Sequence, residues 1–265
     1  MAQPRMVFHI GPQKAATTWF YRTFREHPEV CVPPRDTVGY YSMHHALGHA
    51  WFASHFAVGE QHRVALDPTP SYIRSPYAPA RIQADYPDAK IVATLRDPVE
   101  RAYSHFWHNY KKGELAFTFD RVLKTYDLFQ NWIEPGIPVA PLRDYIQRFG
   151  RSNLHIIRYE TLTRDPLTVY RDACAFMGVA PEAGPSGVDR VVNPAKPPVT
   201  NPVNVALRAL RTYKLAPHLY SRVTGLDTYE RGVSPELREA ILVRIRPMIA
   251  ELEEVLALDL SAWKR

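Results

Sequence analysis

Short apolar runs alternate with amphipathic segments through the first 180 residues of the chain. Four runs have the length of a buried strand: residues 6–10, 64–67, 90–95 and 153–158. Residues 29–34 form a further short run, which a double proline stops in the way expected of an edge strand. Helical spacing between the runs predicts helices from Ala15 to about 27, from Pro98 onward, and over 79–86, 117–131, 139–149 and 170–177. This alternation predicts a three-layer α/β fold, in which helices flank a central parallel sheet.

The last third of the chain has a different pattern. Residues 180–202 are loop-like and contain six prolines, with Pro194, Pro197, Pro198 and Pro202 in the last nine positions. Helices are predicted over 203–213 and from Ser234 through 256, so the C-terminal region is expected to be helical. The apolar face of the second of these helices is predicted at Leu237, Ile241, Ile245, Met248, Leu252 and Val255. A length of 265 residues suits one large α/β domain or two small ones. We predict a single domain over residues 1–265.

Charge and cysteine content narrow the class of ligand and the compartment. A net charge of +6 favours an anionic ligand, which includes nucleic acid and membrane surfaces. Because Lys111-Lys112 is the densest lysine pair, the chain has no basic arm, and neither nucleic acid nor a membrane is the expected partner. Cys31 and Cys174 are isolated, which predicts buried thiols in a reducing compartment. No signal peptide or membrane span is apparent, so a cytoplasmic protein is expected.

The strongest candidate chemistry lies over residues 6–20, where a strand, a tight turn and a helix N-terminus follow one another. Free backbone N–H groups and the positive end of the helix dipole converge at such a junction and favour anions. Lys14 adds a charge in the turn, and Thr17 and Thr18 add hydroxyl donors in the first helical turn. The segment therefore predicts a phosphate-binding loop. An ordinary strand–turn–helix with a surface lysine is the alternative.

The order of residues in this loop resembles the 5′-phosphosulfate loop of sulfotransferases that use 3′-phosphoadenosine 5′-phosphosulfate (PAPS). That loop has the form G-x-x-K-x-G-T-T, and Ala16 stands where a glycine is common. The kinase-type loop has a lysine directly after its second glycine, and the chain has no Gly-Lys pair. A P-loop kinase, or another nucleotide-dependent phosphotransferase, is therefore the second choice. The resemblance implies a P-loop-like fold and a cofactor contact from each of Gly11, Pro12, Gln13, Lys14, Ala15, Ala16, Thr17 and Thr18.

A second motif, R-D-P-x-x-R-x-x-S, covers residues 96–104. Asp97 is a good N-cap and Pro98 suits the first helical position, while Arg96 can form a forked contact with a phosphate. The motif resembles the 3′-phosphate site of the same family, which implies that Arg96 and Ser104 bind the 3′-phosphate of the cofactor. A plain helix cap with a surface serine is the alternative.

The base that takes the proton from the acceptor hydroxyl is the least defined part of the predicted site. Asp67 ends the second buried strand, and its segment resembles the family's Glu-x-[TS]-x-x-Tyr stretch, whose glutamate serves as base in some heparan sulfate sulfotransferases. An aspartate that caps the following turn is the alternative. The glutamate that other relatives use is missing, because Thr37 stands in its place. Asp36, His44 and His45 are rival bases. The aromatic and histidine residues of 42–57 suggest a helix that lines an acceptor pocket or packs on the core, and a metal pair at positions 45 and 49 is not favoured.

We therefore expect an enzyme that transfers a sulfuryl group from PAPS to a hydroxyl of a small-molecule or carbohydrate acceptor, with 3′-phosphoadenosine 5′-phosphate (PAP) as product and no metal. Lys14 is expected to stabilise the charge that develops on the leaving oxygen. Relatives close a loop containing glycine and lysine over the cofactor. This chain lacks the usual Lys-Gly-Arg form of that loop, and Lys196 or the nearby Arg190 can take its part here. A basic nucleic-acid-binding module is the non-enzymatic alternative, and it rests on charge alone.

Overall fold

The computed structural model describes residues 4–111, 118–184, 188 and 232–265. The predicted helix over 203–213 and the predicted cofactor contact Lys196 lie outside these residues. The chain forms two compact units. We call Met1–Arg96 with Pro138–Val192 the sheet unit, and Asp97–Ile137 with Asn193–Arg265 the helical unit. The single domain over 1–265 stays a prediction.

Five strands of the described residues form one parallel sheet in the sheet unit. They are β1 (Arg5–His9), β2 (Val30–Cys31), β3 (Val64–Asp67), β4 (Lys90–Leu95) and β5 (Leu154–Arg158), and their spatial order is β2-β3-β1-β4-β5. Phe8 of β1 lies opposite both Asp67 of β3 and Ile91 of β4. Because every pairing is parallel, all five strands end at the same edge of the sheet. The predicted strands are confirmed, and the short strand before the double proline lies at the sheet edge.

The α-helices of the described residues are, in chain order, α1 (Thr17–Arg25), α2 (His49–Ala53), α3 (Ala78–Asp85), α4 (Pro98–Lys111), α5 (Tyr126–Trp132), α6 (Val139–Phe149), α7 (Tyr159–Arg164), α8 (Pro166–Met177) and α9 (Pro235–Leu256). Residues of α1, α7 and α8 form one core cluster with alternate residues of the strands. Its buried members include Val7, Phe20, Phe24, Leu66, Val92, Leu162, Val169 and Cys174. Cys31 and Cys174 are buried free thiols, as predicted.

The opposite face of the sheet is covered by aromatic side chains. The ring of Phe8 lies 5.5 Å from the ring of Tyr41 and 6.2 Å from that of Tyr72, centroid to centroid. Phe52 of α2 and Tyr86, which follows α3, complete the cluster around Phe8. Burial on both faces explains why the strands are continuous apolar runs and do not alternate. The three-layer α/β fold predicted from the sequence is confirmed.

Three predicted helices begin or continue differently from the pattern. The first helix begins at Thr17 and not at Ala15, because Lys14 and Ala16 both have left-handed backbone, with φ of 69° and 64°. The described part of the predicted helix over 117–131 divides into a 3₁₀-helix (Phe119–Leu123) and α5, whose start is capped by the Thr125 side chain. The helix suggested over residues 42–57 is interrupted at Gly48, where φ is 81°.

The helical unit contains α4 and α9. Val99, Tyr103, Phe106 and Tyr110 form a buried face of α4, in keeping with their helical spacing. Arg101 lies on another face of α4 and is nevertheless buried. It is 2% exposed, it donates a hydrogen bond to the Trp132 carbonyl, and its Nε lies 3.0 Å from where a side chain on Gly136 would begin.

Three of the six residues predicted for the apolar face of α9 are buried, and the other three are not. Ile241, Ile245 and Leu252 are buried. The other buried residues are Leu242, Ile249 and Leu256, whereas the predicted Leu237, Met248 and Val255 are partly exposed.

Candidate active site

Four strand ends bring the predicted site residues to one edge of the sheet. The loop that starts at Gly11 follows β1, Asp67 ends β3, Arg96 follows β4 and Tyr159 follows β5. The carboxyl edge of an open parallel sheet is where such folds bind their ligands. The sheet unit therefore assembles, at a single edge, residues that are up to 148 positions apart in the sequence (159 − 11 = 148).

Gly11 makes the closest approach in the phosphate loop. Its φ is +105°, and a Cβ built on it would lie 2.3 Å from the Pro70 carbonyl oxygen. The Thr94 amide donates to the Gly11 carbonyl at 3.0 Å, which ties the loop to β4. No side chain larger than hydrogen fits at position 11, so the loop passes directly over the turn that follows Asp67.

The turn from Lys14 into α1 leaves an open helix start. Ala16 is the N-cap residue, and no side-chain hydrogen bond caps the first turn. That turn contains no acidic residue, so the positive end of the helix dipole is not neutralised there. The amides of the first turn and the hydroxyls of Thr17 and Thr18, both partly exposed, are therefore donors suited to an anion. The left-handed Ala16 also explains why a glycine is common at this place in the family.

Arg96 is brought to the phosphate loop. Its Nη1 donates to the Lys14 carbonyl at 3.4 Å, and its guanidinium carbon lies 4.5 Å from the centre of the Tyr159 ring. Stacking on the ring holds the planar guanidinium in one orientation. Tyr159, which follows β5, thus contacts the predicted phosphate ligand Arg96.

The second half of the R-D-P-x-x-R-x-x-S motif lies in the helical unit. Asp97 caps α4, since its Oδ1 accepts hydrogen bonds from the amides of Val99 at 2.9 Å and Glu100 at 3.0 Å. Arg238 of α9 donates to both oxygens of the same carboxylate, from Nη1 to Oδ1 at 3.3 Å and from Nη2 to Oδ2 at 2.5 Å. Ser104 lies two turns further along α4 and is partly exposed. The joint contact of Arg96 and Ser104 with a 3′-phosphate stays a prediction.

Asp67 is enclosed. It has no exposed surface, its Oδ1 accepts from the Thr69 hydroxyl at 2.5 Å, and its Oδ2 accepts from the Tyr72 hydroxyl at 2.7 Å. Burial raises the pKa of this carboxyl from 3.8 to about 6, although both hydrogen bonds lower it. A raised pKa is a property that a base requires at neutral pH. The hydrogen bonds are also those expected of an aspartate that organises the following turn.

The rival bases lie at the surface, Asp36 before the aromatic segment 42–57 and the two histidines within it. Asp36 and His44 are exposed, and His45 is partly exposed. His45 and His49 do not share a helix, because Gly48 separates the 3₁₀-turn of His45 from α2. His49 instead contacts the Tyr86 hydroxyl, at 2.8 Å. The residues that the structure describes contain no cluster of three or more side chains suited to a metal.

Sequence reasoning missed one polar residue next to the loop. His9, in the apolar run of β1, is fully buried, and its Nε2 lies 2.8 Å from Thr94 Oγ1. Burial lowers the pKa of His9 from 6.5 to about 3, so the ring is neutral. A histidine within an otherwise apolar strand was the available signal. This side chain links β1 to β4 directly behind the phosphate loop.

A family model described as the sulfotransferase family matches residues 39–182, which is more than half of the chain. The chain belongs to this family. The result confirms the PAPS-dependent sulfotransferase family that the two motifs predicted, and it disfavours the kinase alternative.

Similar proteins include mouse enzymes named for heparan sulfate. The chain is 29% identical over 191 residues to the mouse bifunctional heparan sulfate N-deacetylase/N-sulfotransferase 4, covering 65% of this chain and 22% of that protein. It is 26% identical over 176 residues to the mouse heparan sulfate glucosamine 3-O-sulfotransferase 3A1, covering 64% of this chain and 44% of that protein. The chain thus spans less than half the length of these relatives.

Solved structures show the same fold. The sulfotransferase from Alicyclobacillus acidocaldarius matches with a TM-score of 0.74 at 24% identity, over 100% of both chains. The sulfotransferase domain of the Synechococcus PCC 7002 olefin synthase matches with a TM-score of 0.53 at 16% identity, over 97% of this chain and 96% of that one. Within the described ranges, no helix has both the length and the apolar character needed to cross a membrane. The cytoplasmic location stays a prediction.

Proposed function

We propose that the protein transfers the sulfuryl group of PAPS to a hydroxyl of a small-molecule or carbohydrate acceptor and releases PAP. The acceptor oxygen forms a bond to sulfur, the bond from sulfur to the 5′-phosphate oxygen breaks, and the hydroxyl proton passes to a base. The observation that carries the proposal is the phosphate loop itself, with its uncapped helix start and with Arg96 held against the Lys14 carbonyl.

The chain's residues suit the two ends of such a donor. The open first turn of α1, with Thr17 and Thr18, is proposed to hold the 5′-phosphosulfate, and Gly11 through Ala16 form the turn around it. Lys14 is proposed to stabilise the negative charge that grows on the oxygen leaving sulfur. Arg96 and Ser104 are proposed for the 3′-phosphate, with Lys196 as a further cofactor contact.

A carbohydrate acceptor is supported by the relatives, which are named for heparan sulfate. The segment after Gly39 also suits a sugar surface, since it presents the partly exposed ring of Trp51 beside the exposed imidazole of His44, 5.4 Å apart. Aromatic rings with polar neighbours provide both stacking area and hydrogen bonds.

Asp67, Asp36, His44 and His45 are the candidates for the base, and one of them is proposed to take the proton. The raised pKa supports Asp67, but its full burial does not. Exposure supports Asp36 and His44, and partial exposure supports His45.

The test is a comparison of nucleotides by calorimetry. PAP is expected to bind about ten- to a hundredfold more tightly than adenosine 5′-phosphate, since a lost charged hydrogen-bond partner costs about 1.5–3 kcal/mol. Arg96→Met is expected to remove most of this preference. Arg25→Met, which changes an exposed arginine at the far end of α1, is the matched control and is expected to keep it. Equal binding of both nucleotides, or tighter binding of ATP, contradicts the proposal.

A further inference from the structure

The turn after β3 contains three polar side chains that are completely buried: Asp67, Thr69 and Tyr72. Desolvation of such groups is costly unless hydrogen bonds replace the lost water. Each of the three is bonded to another member or to backbone. They form a connected buried network directly beneath the carboxyl edge of the sheet.

Thr69 connects Asp67 to the segment before the aromatic cluster. Its hydroxyl donates to Asp67 Oδ1. Its oxygen accepts from the amide of Val38 at 3.0 Å and from the amide of Gly39 at 3.1 Å. Because the Thr69 hydroxyl hydrogen is donated to the carboxylate, both lone pairs of the threonine oxygen remain to accept from the two amides.

Tyr72 repeats this arrangement on the other carboxylate oxygen. Its hydroxyl donates to Asp67 Oδ2 at 2.7 Å and accepts from the Tyr41 amide at 3.4 Å. Burial and the Asp67 carboxylate raise the pKa of Tyr72 far above its ordinary value, so the phenol keeps its proton. One buried carboxylate thereby orients two hydroxyls, which together hold three backbone amides of residues 38–41.

The same turn contacts the phosphate loop. Gly11 lies against the Pro70 carbonyl, and the Ile73 amide donates to the Ile10 carbonyl at 3.0 Å. Residues 67–73 therefore join the loop proposed for the donor to the segment 38–41. On either side of that segment, within a few residues, lie the exposed base candidates Asp36 and His44.

We propose that Asp67 is a positioning residue, which acts through Thr69 and Tyr72 to hold residues 38–41, and with them the acceptor side of the site, against the phosphate loop. The proposal rests on the proposed function for its effect on transfer, but its structural part is independent of it. Both carboxylate oxygens are committed to donors and the side chain is fully covered, so the proton of an acceptor hydroxyl has no route to it in this arrangement.

An asparagine at position 67 distinguishes this role from that of a base. Its amide has one acceptor oxygen and one donor nitrogen, so it can accept from only one of the two hydroxyls. The other hydroxyl must turn and give up an amide of the segment 38–41. Thr69→Val and Tyr72→Phe each remove one of the two hydroxyls, and with it the hydrogen bonds to the amides of residues 38–41, while Asp67 itself is retained.

The experiment measures hydrogen exchange and transfer kinetics on the full chain. Asp67→Asn, Thr69→Val and Tyr72→Phe are compared with Thr23→Val, which makes the same change at a buried threonine of α1 outside the network. In the first three variants, exchange of the amides at 38, 39 or 41 is expected to rise at least about tenfold, as a lost bond of ~1.4 kcal/mol implies. Turnover is expected to fall about ten- to a hundredfold through misplacement, with PAP affinity retained and the pH profile of turnover unchanged in shape.

Several outcomes overturn the proposal. Unchanged amide exchange in Thr69→Val and Tyr72→Phe does so, even if Asp67→Asn fails to fold. So does a loss of turnover confined to Asp67→Asn with disappearance of the acidic limb of its pH profile, which identifies Asp67 as the base. If wild-type protein transfers no sulfuryl group, the proposed function fails, and the exchange measurement still decides whether Asp67 positions residues 38–41.

Discussion

Replacing Asp67 with asparagine turns a buried carboxylate into a neutral group of nearly the same shape. Burial is the largest influence on this carboxyl and raises its pKa from 3.8 to about 6. The hydrogen bonds from Thr69 and Tyr72, and the electrostatic influence of His55, lower the pKa but do not compensate for burial. The folded protein therefore disfavours the ionised form of Asp67 relative to the unfolded chain.

The size of the effect follows from the two pKa values. A difference of about two pKa units corresponds to ~3 kcal/mol. Since the folded-state pKa is the higher one, this cost is absent below about pH 4, grows up to about pH 6 and is complete above it. Asparagine does not ionise, so the variant has no such pH-dependent loss of stability. The free energy of unfolding of Asp67→Asn minus that of wild type is thus expected to rise by about 3 kcal/mol between about pH 4 and pH 8.

Urea unfolding followed by tryptophan fluorescence measures this difference, because Trp19 and Trp107 are buried. A hydrogen bond lost in the variant shifts both ends of the pH range by a similar amount and leaves the slope unchanged. Asp165→Asn is the control of opposite sign. Asp165 caps α8 and its pKa is lowered by the Thr168 hydrogen bonds, so this variant is expected to lose stability at neutral pH and to match wild type in acid. A flat or falling difference for Asp67→Asn refutes the reasoning.

Three further predictions concern the phosphate loop. Lys14→Ala is expected to lower single-turnover sulfuryl transfer by about two orders of magnitude with the fold intact, and near-normal transfer would show that the lysine is only a surface charge. Gly11→Ala is expected to lose PAP binding in calorimetry and at least about 1–3 kcal/mol of stability from backbone strain, whereas Gly178→Ala, which also has positive φ but an open surrounding, should keep PAP binding. Ala16→Gly is expected to stay within about 1 kcal/mol of wild type in urea unfolding, because relief of left-handed strain offsets the entropy of glycine. Ala15→Gly, at a buried position without positive φ, should lose more stability than Ala16→Gly. A larger loss in Ala16→Gly would contradict this account.

Local signals in the sequence were sufficient for the elements that carry the loop and the helix cap. An apolar run followed by Gly11 and a helix start defines β1, the turn and α1, since each depends on residues next to one another in the chain. Asp97 before Pro98 predicted the N-cap of α4, and the hydrogen bonds to Val99 and Glu100 confirm it. The parallel sheet also followed from the alternation of strands and helices.

The contacts between distant segments were decided only by the tertiary structure. Nothing near Arg101 in the sequence indicates that the Trp132 carbonyl would accept from it and that it would be buried. The spacing of α9 allowed several apolar faces, and the packing selected the one with Leu242, Ile249 and Leu256. The enclosure of Asp67 depends on amides about 30 positions earlier. Hydrophobic period and capping chemistry act over a few residues, whereas desolvation and buried hydrogen bonds depend on which segments the fold places in contact.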